Sequence, residues 1–182
     1  MVAPDDVHWV FGYGSLIWRP GFAFVHRERA LLKGAHRSLC LYSDNYRGTP
    51  ELPGLVFGLA HGGSCGGMAF AVAPGQWEET LAYLRARELL GDVYRESLRP
   101  VRLAGGGLVT ALAYVVDETS PQYAGRLALE EQVRLVRRSH GNSGANIDYV
   151  LNTAEHLSQL GIRDRALEDL ALALRAPLAV SA

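Results

Sequence analysis

His8-Trp9-Val10-Phe11-Gly12-Tyr13-Gly14-Ser15-Leu16 begins as a short apolar strand, His8 to Gly12, and stops where two glycines open backbone conformations closed to other residues. A loop with exposed amides should follow. The G-x-G after a strand has the outline of a nucleotide fingerprint, but Ile17 stands where the third glycine belongs, Trp18-Arg19-Pro20 does not open a helix, and no G-K-[ST] follows. That argues against a dinucleotide or ATP site. What is left is a bend whose N–H groups and Ser15 hydroxyl can receive a carboxylate or an oxyanion, or else an ordinary glycine turn. Ser15 as a nucleophile finds no support, because G-x-S-x-G is absent.

Outward from this stretch, glycine and proline punctuation separates further strands. Ser38 to Tyr42 and Leu55 to Ala60 carry β-branched and aromatic residues, and Gly62-Gly63 suits a tight hairpin into a strand over Gly67 to Ala73. Leu98 to Leu103 and Leu108 to Val116 pair around Gly105-Gly106-Gly107. Such hairpins favour an antiparallel sheet. Pro74-Gly75 ends one strand, Glu78 and Glu79 suit the first turn of a helix over 76–90, and Gly91 ends it. Three apolar stripes mark a helical last third: Leu129, Val133 and Val136; Ile147, Leu151 and Ala154; Leu167, Leu170 and Leu174. Strands first and helices last imply an α+β fold, with helices on one side of a strongly curved sheet.

The chain has 182 residues with 48% hydrophobic content, which suits one domain over 1–182. Lys and Arg total 18 against 19 Asp and Glu, without a basic stripe, so no nucleic-acid partner is expected. Met1 to His8 holds Asp5 and Asp6 and lacks the order of a leader peptide, and no segment is apolar enough to cross a bilayer. A cytoplasmic protein without a membrane partner is the expectation. Cys40 and Cys65 read as reduced packing residues, and the histidines show no metal-ligand spacing, so neither a metal nor another cofactor is expected.

On the 76–90 helix, Trp77, Leu81 and Leu84 share one narrow face, and the next position on it is Glu88. A carboxylate there leaves water at a cost of several kcal/mol unless partners compensate. It is either functional or a structural ion pair with Arg85, Arg87, Arg95 or Arg99. Desolvation would raise its pKa from about 4.3 towards neutrality, the property of a general base. Glu78 and Glu79 are explained as helix-start residues.

Taken together, Val10 to Trp18, His36-Arg37-Ser38-Leu39-Cys40-Leu41, Arg47-Gly48-Thr49-Pro50-Glu51-Leu52-Pro53-Gly54, Arg87-Glu88 and the G-N-S-G-A-N-I-D-Y of Gly141 to Tyr149 resemble the motifs of the ChaC-type glutathione-specific γ-glutamylcyclotransferases, particularly the bacterial members. Their order and spacing cover nearly the whole chain. The resemblance implies a small mixed β-barrel with flanking helices and an enzyme, a lyase acting on a C–N bond, that cleaves glutathione to 5-oxoproline and Cys-Gly. Arg87-Glu88 falls where the family has its catalytic pair.

The implied reaction is intramolecular: the γ-glutamyl α-amine attacks its own γ-carbonyl. On this reading Glu88 is general base and then general acid, and the amides of Tyr13, Gly14, Ser15 and Leu16 hold the substrate's carboxylate or the developing oxyanion. Arg47 and the turn at Gly48 wall the pocket, although Arg47 also suits a surface ion pair. The Tyr149 hydroxyl, off the face of Ile147 and Leu151, points to substrate or packs against a loop, and Asn146 is the helix N-cap. Two alternatives stay open: a cyclotransferase for other γ-glutamyl amino acids or γ-glutamylamines, and a non-catalytic γ-glutamyl-binding regulatory module. The expected partner is the small-molecule substrate, with the protein a monomer or weak homodimer.

Overall fold

The computed structural model describes residues 7–89 and 91–177; the leader reading of Met1 to Asp6, and Leu90 at the end of the expected helix, lie outside them. Residues gather into two units, Met1–Ser38 with Gly58–Tyr123, and Leu39–Phe57 with Ala124–Ala182. Strands β1 (His8–Gly12), β2 (His26–Ser43), β3 (Gly54–Val72), β4 (Tyr94–Leu103) and β5 (Leu108–Val116) form a closed barrel in the order β1-β3-β2-β4-β5. The fold is α+β.

Alternation explains the strands. Along β2, Ala30 and Leu32 are buried while Arg29, Leu31 and Lys33 are exposed, so a charged stretch with no obvious strand signal extends the expected Ser38–Tyr42 strand back to His26. Barrel-filling residues of the first unit include Phe11, Tyr13, Ala30, Leu32, Leu59, Ala69, Val101, Ala111, Ala113 and Val115. The β4–β5 hairpin stands as expected, with Leu98 opposite Leu112 and a turn closed by Gly106 N–H on the Leu103 carbonyl at 3.1 Å.

Two expectations are corrected. The sheet is the mixed barrel that the family resemblance implies, not the antiparallel sheet that the hairpins alone favour: β1 runs antiparallel to β3 but parallel to β5, with Trp9 opposite Ala111, and that parallel pair closes the barrel. Local turn chemistry cannot report a pairing made across nearly the whole first unit. Nor do Gly62 and Gly63 make a hairpin; they lie inside one strand, β3, at φ of 90° and 71°. The flanks of a hairpin must pair with each other, whereas here Met68 to Val72 pair with β1 and the Gly62 carbonyl meets His36 Nδ1 of β2 at 2.9 Å. Two left-handed glycines then serve as a local bend in a continuing strand.

Helix α1 (Trp77–Glu88) follows a single 3₁₀ turn over Pro74–Gln76, and Glu78 and Glu79 occupy its first turn. Thr80 and Leu84 are buried, and Trp77, Leu81, Arg87 and Glu88 are half-buried, so the face anticipated from periodicity is the inward one. Trp77 stacks on His8 with ring centroids 4.5 Å apart, and Tyr83 meets Phe22, which itself packs edge-on against Phe70.

In the second unit, α2 (Leu129–Arg138), α3 (Asn146–Gln159) and α4 (Arg165–Arg175) pack pairwise against one another. Leu167, Leu170 and Leu174 of α4 are buried as anticipated. On α2 only Val136 of the expected stripe is buried, with Leu135 beside it, and Leu129 is exposed. The α3 stripe is shifted by one residue, to Asn146, Val150, Thr153 and Leu157. Two of these are polar, which is why an apolar scan selects Ile147, Leu151 and Ala154 instead. Thr153 is accommodated by donating from Oγ1 to the Tyr149 carbonyl at 2.7 Å. Among the described residues no helix is long and apolar enough to cross a membrane.

Candidate active site

The stretch after β1 folds into a 3₁₀ turn over Ser15–Ile17, closed by Ile17 N–H on the Gly14 carbonyl at 2.9 Å and by Arg19 N–H on the Ser15 carbonyl at 2.8 Å. Leu16 and Ile17 are buried and anchor it, while the Tyr13 side chain sits in the barrel core. What Tyr13, Gly14 and Leu16 can present is therefore main chain. The first N–H groups of such a turn have no acceptor within it. Only Ser15 keeps a half-exposed polar side chain there.

Glu88 is the last residue of α1, its side chain 17% exposed, and its carboxylate lies 3.2 Å from Arg87 Nε. Of the four arginines weighed as partners, Arg87 is the one that pairs. Arg85 grips Glu96 through Nε and Nη2 at 2.8 and 3.0 Å, Arg95 pairs with Asp117, and Arg99 Nε is buried without a hydrogen bond. Burial pushes the Glu88 carboxyl above its ordinary range, and the Arg87 cation offsets this only in part.

Arg87 is the residue that organises the site; from the sequence it is one of four candidate partners of Glu88 and, by resemblance, half of the Arg87-Glu88 pair, with its other contacts not foreseen. Its Nη2 donates to Ser15 Oγ at 2.8 Å, and its Nη1 donates to the Arg19 carbonyl at 2.7 Å and to the Tyr83 hydroxyl at 2.9 Å. One guanidinium thus spans from the carboxylate to the glycine-serine turn. Because Ser15 Oγ accepts from Arg87, its own proton stays available to another acceptor. Tyr114, opposite Glu96 on the neighbouring strand, donates to Glu96 Oε1 at 3.1 Å. Its phenol is held protonated by burial first, then by the negative charges of Glu96 and Glu88. Nothing in the sequence singles Tyr114 out, since it sits in an apolar strand.

The other expected site residues belong to the second unit and meet one another there. Arg47 Nη1 donates to the Ser143 carbonyl at 2.6 Å, and the guanidinium lies over the Tyr149 ring, 5.1 Å from its centroid. Among the described residues these contacts stand in place of the alternative considered for Arg47, a surface ion pair. The Tyr149 hydroxyl accepts from Phe57 N–H at 3.1 Å, and Asn142 and Ser143 N–H bond to the Asn45 and Tyr46 carbonyls at 2.8 and 2.9 Å. Two motifs about a hundred residues apart are thereby clasped.

Asn146 is not a helix N-cap: it is fully buried, Oδ1 accepting from Leu55 N–H and Nδ2 donating to the Leu55 carbonyl, both at 2.7 Å. Ala145 occupies the cap position instead. Gly48 is required by packing, because a Cβ there would overlap the Gly54 amide and come within 2.6 Å of the Leu52 and Ser43 carbonyls. Gly48→Ala is expected to lower stability by about 1–3 kcal/mol, measured by urea unfolding. An unchanged midpoint would show that this loop relaxes freely.

Several known proteins are similar to this chain over most of its length. The chain is 31% identical over 171 residues to the Escherichia coli protein named glutathione-specific γ-glutamylcyclotransferase, covering 94% of this chain and 74% of that one. It is 34% identical over 158 residues to the human glutathione-specific γ-glutamylcyclotransferase 1, covering 84% and 71%. A yeast γ-glutamyl cyclotransferase specific to glutathione has the same fold, with TM-score 0.84, 23% identity, and 93% and 96% coverage. The family model described as ChaC-like protein matches residues 8–176, which takes in the glycine-serine turn, the Arg87-Glu88 pair and the clasped motifs, and the chain belongs to that family.

Proposed function

We propose that this protein is a γ-glutamylcyclotransferase that degrades glutathione to 5-oxoproline and Cys-Gly. The observation that carries the reading is Glu88: a carboxylate largely withdrawn from water, its proton affinity raised by burial, joined through Arg87 to Ser15 of the turn. Membership of the ChaC-like family and the names of the relatives support the same substrate.

The proposed chemistry is self-contained. The substrate's neutral α-amine forms a bond to the carbon of its γ-carbonyl, the carbonyl electron pair moves onto oxygen, and Glu88 takes the proton shed by the attacking nitrogen. The oxyanion then collapses, the bond to the cysteine nitrogen breaks, and Glu88 returns the proton to that leaving amine. A free α-amine has a pKa near 8, so part of it is neutral at about pH 7, and a positioned base can take the proton that nitrogen sheds as it attacks. Main-chain N–H groups of the Tyr13–Leu16 turn are the proposed donors to the oxyanion.

Purified protein incubated with glutathione, without added metal or nucleotide, is expected to release 5-oxoproline and Cys-Gly in equal amounts by mass spectrometry. Turnover of γ-glutamyl-alanine in place of glutathione would reassign the substrate, and binding of glutathione without product would refute the enzyme.

A further inference from the structure

Arg37 lies in the interior of the first unit, only 5% exposed. Its Nε donates to the Tyr13 carbonyl at 2.6 Å and its Nη2 to the Gly66 carbonyl at 2.7 Å. We propose that Arg37 is a positioning residue for the reaction: by pinning the Tyr13 carbonyl it aims the Gly14 N–H in the opposite direction, as a donor to the oxyanion formed on the γ-carbonyl. The assignment rests on the cyclotransferase reading.

A trans peptide is planar, with its C=O and N–H antiparallel, and no described peptide bond is cis. The Tyr13 carbonyl and the Gly14 N–H belong to one such plane, so fixing one end fixes the other. A glycine on one side of that plane leaves its rotation weakly restrained, which makes an external brace necessary. The brace has a firm footing at its other end. A Cβ added to Gly67, beside the gripped Gly66 carbonyl, would overlap the Gly12 carbonyl and lie 2.7 Å from the Phe11 ring, so this backbone is pressed against the base of the turn.

The space next to Gly14 suits a ligand atom. Gly14 is buried, yet a Cβ built on it meets nothing within 4 Å beyond its chain neighbours. Among the described residues, its N–H makes no hydrogen bond. A charged donor on the carbonyl also polarises the peptide and strengthens its N–H as a donor.

The test uses wild type, Arg37→Met and Arg37→Lys, each with 15N-labelled glycine. In Arg37→Met the Gly14 amide signal is expected to move and exchange faster while glycines other than Gly66 and Gly67, whose shared peptide Arg37 also holds, stay in place, and kcat for 5-oxoproline release is expected to fall roughly 10²-fold with KM within about threefold. A Gly14 signal unchanged in a folded variant, or a raised KM with kcat kept, overturns the proposal. Arg37→Lys keeps the charge without the two-pronged grip and decides the matter if the Met variant does not fold. A Gly14 shift accompanied by lost kcat supports the proposal; wild-type behaviour of both, or lost kcat with Gly14 unmoved, overturns it. Should wild type release no 5-oxoproline, the cyclotransferase reading fails, while the Gly14 signal still decides whether Arg37 sets that amide.

Discussion

Replacing Glu88 by glutamine is expected to cut 5-oxoproline release from glutathione by roughly 10²–10⁴-fold, the range for losing a positioned acid–base group, with the fold intact. Glutamine keeps the shape and can still receive a hydrogen bond from Arg87, but it cannot carry the proton between the two nitrogens. The same residue should set the acid limb of the kcat/KM profile in wild type, at a pH above the ordinary carboxylate value of about 4.3, because burial favours the protonated form.

Stability should move the other way. A carboxyl whose folded pKa is raised contributes stability that is full below its unfolded value and is lost as pH rises through the folded one. Above its raised folded pKa the ionised Glu88 therefore costs stability, and in that range Glu88→Gln should melt at or above the wild-type temperature. Near-normal activity in this variant, or an acid limb at the ordinary Glu value, would remove Glu88 from the mechanism.

Asn146→Leu is expected to destabilise the protein by about 2–5 kcal/mol, because leucine fills the volume but leaves the Leu55 N–H and C=O buried without partners, at about 1–3 kcal/mol each. In the native protein the Asn146 amide bonds both groups at 2.7 Å from a fully buried position, as a neighbouring strand's peptide would. Urea unfolding of the variant should show a lower midpoint with little change in slope. A loss under about 1 kcal/mol would mean that water or a backbone shift satisfies Leu55.

Legibility followed the range of the physics. The inward position of Glu88 could be read because helical periodicity is local, and so could the amide-presenting turn and the β4–β5 hairpin. Arg87 was legible as a candidate partner of Glu88 but not as a hub, since its contacts reach Arg19 and Ser15, about seventy residues away in the chain. Asn146 was misread for a related reason: a polar residue at a helix start fits a cap, and only the nearness of Leu55 shows that it serves a strand.

By itself the sequence determined most of the segments that coil, the β4–β5 hairpin and which carboxylate faces inward, because these depend on side-chain period and turn chemistry within a few residues. Tertiary structure decided that β1 closes the barrel in parallel on β5, that β3 runs on through its glycines, and that the Arg87 guanidinium reaches Arg19 and Ser15. Each of those is a choice among distant partners of similar chemistry, settled by which groups packing brings within hydrogen-bonding reach.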